Sequence, residues 1–269
     1  WDAQHLLFTG ARFPGAFGVF EISTSLRGGS EKDRVEVSPA RDKDVFWWNG
    51  VYCPDGENLI MLGTAQFAYL PCENGNELMA VLYRVNRKTG KIRQLTFEQD
   101  SDYTPSFTRD GRVLYTRWEY SDTPHYFSRN LMTMNPDGIG QLALWGSGSY
   151  FPAFFYDARA VPGDPHLISM LASGHHDIAE VGRLLLVDPT LARAYPLVYD
   201  PPDRAWAPAG FGIFRIPAKT LPKEKTGLVQ EIPGYGKDVP GDVCDELTAN
   251  QFARGRPYLA HPFPLSKNY

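Results

Sequence analysis

The sequence predicts an all-β fold, a β-propeller of four-stranded antiparallel blades that forms part of a ring of about six to eight blades. Three observations predict it. A strand-turn-strand unit recurs: "VYCPDGENLIML" at 51–62 is echoed by "SFTRDGRVLYTR" at 106–117, which sets Asp110-Gly111 55 residues after Asp55-Gly56. Each unit runs for roughly 45 to 55 residues with about four short β-favouring stretches, the period at which blades stack face to face. Helical spacing of apolar residues is faint and confined to "VCDELTANQF" at 243–252, one short helix at most.

Taken in order, a partial first unit spans about 5–40, followed by units at 45–98, 102–148 and 149–245, with the next blade starting at 257. The Asp-Gly pairs at 55/56, 110/111 and 137/138 read as type I′ hairpin turns, where Gly supplies the positive φ. Downstream hairpins lie at 81–96, 130–144 and 183–197, with Asn86, Asn135 and Asp188 in equivalent places. "DYTPSF" and "SYFPAFF" repeat in step and predict that Tyr103, Pro105, Tyr150 and Pro152 mark innermost strands, where a proline at a strand's start loses no ladder bond. The proline-rich stretch 199–227 breaks the period and reads as an insertion. Because the chain ends as a strand starts, it reads as a fragment of a longer protein, so further polypeptide or another subunit is expected against the end blades.

Composition narrows the functional classes. With 43% hydrophobic and 13% aromatic residues the chain can bury a sizeable core. Its 27 basic and 31 acidic residues leave a net charge of -4, which gives no electrostatic attraction to nucleic acid or an anionic membrane. No apolar run is long enough to span a bilayer. Three cysteines, Cys53, Cys72 and Cys244, form no zinc or haem spacing, and Cys53 and Cys72 are close enough across one hairpin to pair in an oxidising compartment. No metal site is expected.

The densest functional side chains lie in "TRWEYSDTPHYFSRN" at 116–130, where Arg117, Glu119 and His125 are candidate ligand-binding residues. The plainer reading is a strand with alternating faces and an Arg117/Glu119 pair. His175 and His176 are weaker candidates, since neighbours on a strand point to opposite faces and do not share one metal. "GSGSY" at 146–150 lacks nucleophile-elbow spacing, and "GYGKDVPG" at 234–241 fits neither phosphate-binding loop.

The run "RQLTFEQDSDYTPSFTRDGRVLYTRWEYSDTPHYFSRNLMTMNPDG", followed in order by "SYFP", "SGHHDIAEVGRLLLVDP", "VQEIPGYGK" and "HPFPLS", resembles the WD40-like, TolB-type propeller region of the hydrazine synthase alpha subunit-like proteins over about 45–269. These are large exported bacterial proteins. The resemblance implies a propeller and an extracytoplasmic address, periplasm or cell surface. The namesake enzyme works at c-type haems held by CxxCH motifs, and none occurs here, so no cofactor is expected within this chain. The expected function is therefore a binding or scaffolding module for protein or small-ligand contacts. The alternative is part of a redox or other propeller enzyme whose cofactor-bearing region lies outside this chain.

Overall fold

The computed structural model describes residues 4–13, 16–25, 33–39, 45–64, 68–69, 78–118, 129–145, 155–172, 183–187, 189, 229–231 and 261–265. Among them the regular structure is almost wholly β. Strands β1 (His5–Phe13), β2 (Ala16–Ser23) and β3 (Val35–Glu36) form a three-stranded sheet in that order. A second sheet runs β4 (Trp47–Tyr52), β5 (Asn58–Gly63), β6 (Val81–Asn86), β7 (Ile92–Gln94). The third runs β8 (Asp102–Phe107), β9 (Val113–Trp118), β10 (Arg129–Met134), β11 (Leu142–Trp145). The fourth runs β12 (Phe155–Ala160), β13 (Ile168–Ala172), β14 (Arg183–Val187), β15 (Val229–Glu231). Sequence neighbours pair as antiparallel meanders, the connectivity of propeller blades.

The chain divides into two compact units, Trp1–Val113 with Met134–Gln141, and Leu114–Thr133 with Leu142–Tyr269. In the first unit, β5 is buried along nearly its whole length, from Leu59 to Gly63, because a middle blade strand is covered on both faces. Hence "NLIML" reads as an unbroken apolar run and not as an alternation. The outer β7 is mostly exposed. Trp47 packs edge-on to Tyr83 with ring centroids 5.1 Å apart, and Gly63 makes room for it: a Cβ there would lie 2.5 Å from the indole. In the second unit, Leu114, Tyr115, Trp118, Leu131, Tyr156, Met170 and Leu171 are buried.

Buried hydroxyls repeat at the ends of the first two sheets. Val37 N–H donates to Val19 O while Val19 N–H donates to Ser38 Oγ; Leu95 N–H donates to Leu82 O while Leu82 N–H donates to Thr96 Oγ1. β2 is therefore the counterpart of β6, and β1 of β5. Among the described residues the first sheet has no counterpart of β4.

The Asp-Gly turns differ from the type I′ expectation. Gly56, Gly111 and Gly138 do take positive φ, but their N–H groups donate to Cys53, Thr108 and Asn135 O, three residues back. Glycine thus closes each turn at its fourth position, and Asp occupies the third. At two of the three turns the second position is proline, Pro54 and Pro136, whose fixed φ near −65° suits that position of an ordinary turn and is incompatible with type I′; Arg109 holds it in the third. The Asp55 carboxylate accepts the N–H groups of Glu57 and Asn58, which a mid-turn aspartate can reach.

Cys53 is buried with a free thiol. Cys72, the partner that hairpin proximity makes feasible, lies outside the described residues. Burial first, then the nearby Asp55 carboxylate, pushes the thiol up to about 12 against the opposing pull of Arg84. No described helix is long and apolar enough to cross a membrane.

Candidate functional site

The first strands of the second and fourth sheets share one irregularity. In β4, Trp48 pairs with Leu62 but Val51 with Ile60, so one residue is extra; in β12, Tyr156 pairs with Leu171 but Arg159 with Ser169. These are β-bulges. Within them Asn49 and Asp157 take φ of 49° and 50°. Thr104 in β8 does the same at 42°, and His261 at 49°. Asn49, Thr104 and Asp157 each stand four residues before the carbonyl that accepts the turn N–H, at Cys53, Thr108 and Val161. They are one repeat position. His261-Pro262 matches Thr104-Pro105 in sequence, which puts His261 there too.

This register corrects the sequence-based one. The prolines of "DYTPSF" and "SYFPAFF" suggested that Pro105 corresponds to Pro152; the bulge puts Ala158 in that place instead. The position after the bulge is occupied by Gly50, Pro105, Ala158 and Pro262, so what they share is the left-handed residue before them and not a proline. Tyr150 and Pro152 lie outside the described residues.

Asn, Asp and His tolerate left-handed φ better than most residues, whereas β-branched Thr104 is held there against its preference. Such strain collects at functional sites. Two of the positions meet within the second unit. Asp157 is 4% exposed, and its Oδ2 lies 2.8 Å from Nδ1 of His261, whose side chain is 66% exposed. Two residues further along each segment, the Arg159 guanidinium sits 5.2 Å over the Phe263 ring. A buried carboxylate thus lies against Nδ1 of a largely exposed imidazole, beside an arginine stacked on an aromatic face.

Of the residues the sequence singled out, Arg117 is buried in β9; it donates to Tyr115 Oη at 2.8 Å and lies 5.4 Å over that ring. Glu119, His125, His175 and His176 lie outside the described residues, which hold no cluster of metal-ligating side chains. Sequence reasoning missed Asp157, Arg159, His261 and Phe263. The available signal was a residue tolerant of left-handed φ four positions before two of the three turns, at Asn49 and Asp157.

No protein-family model matches the chain, and no curated protein matches it. Among solved structures, hydrazine synthase from Kuenenia stuttgartiensis is similar with a TM-score of 0.56 at 17% identity, over 71% of this chain and 30% of that one. The fold is a β-propeller. A putative TolB from Agrobacterium tumefaciens aligns at TM-score 0.49 and 12% identity over 69% of this chain and 57% of its own. TolB from Acinetobacter baumannii aligns at 0.42 and 12% over 69% and 38%. At these identities the likeness concerns the backbone fold. This chain spans about a third of the hydrazine synthase chain it matches.

Proposed function

We propose that this chain is an exported β-propeller module that binds, and does not itself transform, a partner or small ligand through its innermost strands. The observation that supports it most is the recurring left-handed backbone position, which places strain on the polar residues Asn49, Thr104, Asp157 and His261. A purely structural repeat position would be better served by glycine, which takes this φ without strain. The extracytoplasmic address and the expectation of further polypeptide around the blades rest on the resemblance to hydrazine synthase alpha-like proteins, and the similarity in fold to hydrazine synthase is compatible with both. Without a CxxCH in its sequence the chain has no means of attaching a c-type haem, so we propose that it works without one.

The test is a thermal-shift panel of sugars, amino acids, small acids and short peptides on the full chain, repeated on the combined variant Asn49→Gly, Thr104→Gly, Asp157→Gly. Glycine keeps the bulge backbone and removes the side chains. At least one class should raise the melting temperature of the native chain by several degrees and leave the variant unmoved. Equal shifts in both proteins, or none in either, would overturn the reading.

A further inference from the structure

We propose that Arg159 and His261 form a binding site for a carboxylate group, an inference that rests on the reading of the innermost strands as the binding surface. The starting point is an unused arginine. Arg159 is half-buried on β12, its Nε is buried without a hydrogen-bond partner, and among the described residues no ion pair or side-chain hydrogen bond engages its guanidinium. Its one described side-chain contact is the face of Phe263. An aromatic face holds the guanidinium plane in place but satisfies none of its in-plane N–H donors, so the fork stays ready for an acceptor.

The Asp157 carboxylate does not fill that role, because it is turned to Nδ1 of His261. That contact leaves Nε2 as the free edge of an imidazole whose side chain is largely exposed. Residues 157 and 159 are two apart on β12 and 261 and 263 two apart in the segment beside it, so the Arg159–Phe263 contact lies next to the Asp157–His261 contact. A carboxylate between them accepts two parallel N–H bonds from the Arg159 fork, and an oxygen can also accept Nε2–H of a protonated His261. A single planar fork with one imidazole matches a planar two-oxygen anion better than a tetrahedral phosphate, which would leave two oxygens unpaired. Phe263 also gives the acid's carbon chain an apolar wall.

The experiment follows the Arg159 Nε–H signal by NMR in the full chain, assigned through its disappearance in Arg159→Gln. Succinate and a short peptide ending in glutamate are titrated at constant ionic strength, with inorganic phosphate and chloride as controls. The expected result is a saturable shift with succinate, the peptide or both, the stronger showing whether the acid is free or part of a chain. His261→Ala should weaken binding about tenfold. Arg159→Lys, which keeps the charge and serves as the folded control, should weaken it at least tenfold through loss of the fork. An unmoved signal, a shift matched by chloride or phosphate, or full affinity in Arg159→Lys would overturn the proposal. If the carboxylates fail while the ligand panel still separates the native chain from the glycine variant, only the carboxylate assignment falls; if both fail, the binding reading falls with it.

Discussion

Cys53 and Tyr83 lie in neighbouring parts of the second sheet, and both are acids held in their neutral form. Burial pushes the Tyr83 phenol up to about 12, and burial with the Asp55 charge does the same for the Cys53 thiol. Each group ionises more readily in the unfolded chain, near pH 9 for the thiol and 10 for the phenol. Protons are then bound more tightly by the folded state, so stability is complete below pH 9 and declines as pH rises toward 12. Urea unfolding between pH 8 and 11 should show this decline, and Cys53→Ala with Tyr83→Phe should flatten it. An identical slope in the double variant would refute the assignment. Asp55 works in the other direction. Partial burial alone would raise its carboxyl, but hydrogen bonds from the Asn58 side chain and the backbone N–H groups of Asn58 and Glu57, with the Arg84 charge, leave it below the usual value. Its contribution is present above about pH 4 and is lost below that.

At the scale of single strands, the fit between Gly63 at the end of β5 and Trp47 at the start of β4 decides how closely the first hairpin of the second sheet can pack. Trp47 is 2% exposed, and the space a methyl group would need at Gly63 is occupied by its ring. Gly63→Ala should therefore destabilise the chain by about 1–3 kcal/mol through overpacking. Thermal unfolding measures it, and Trp47→Phe in the same background should restore part of the loss by shrinking the ring. If Gly63→Ala leaves the midpoint unchanged, the close packing is wrong. The turns show how far elements were legible. Asp-Gly located three hairpins correctly, because few other dipeptides accept positive φ next to a capping carboxylate. It did not reveal the turn class, which at two of the three turns is decided by the fixed φ of Pro54 before Asp55 and Pro136 before Asp137. The first strands of the sheets were misregistered by prolines for a related reason: Pro105 is only one way to fill a position that Gly50 and Ala158 fill equally well. The Asp157–His261 and Arg159–Phe263 contacts join segments about a hundred residues apart, and no local pattern encodes such a pairing.

At the scale of the whole molecule, burial in the second and third sheets is graded by strand position. β5 is an apolar run and both β5 and β9 are buried along their length, and Ile168, Met170 and Leu171 of β13 are buried as well. The outer strands tell the opposite story: Ile92 on β7 and Leu142 on β11 are exposed, and β7, β11 and β15 are edges of their sheets among the described residues. Amide exchange follows the free energy of local opening, which is small where few apolar contacts and a single ladder hold a strand. Hydrogen–deuterium exchange read by mass spectrometry should therefore give the same order in all three four-stranded sheets. Peptides covering 58–63, 113–118 and 168–172 should exchange at least a hundredfold more slowly than those covering 92–94, 142–145 and 229–231. Because the blades repeat one design, the order should hold sheet by sheet and not merely on average. Fast exchange in β5, β9 or β13, or equal protection of middle and outer strands, would mean that the middle strands are not covered on both faces and would remove the physical basis for reading these sheets as stacked blades.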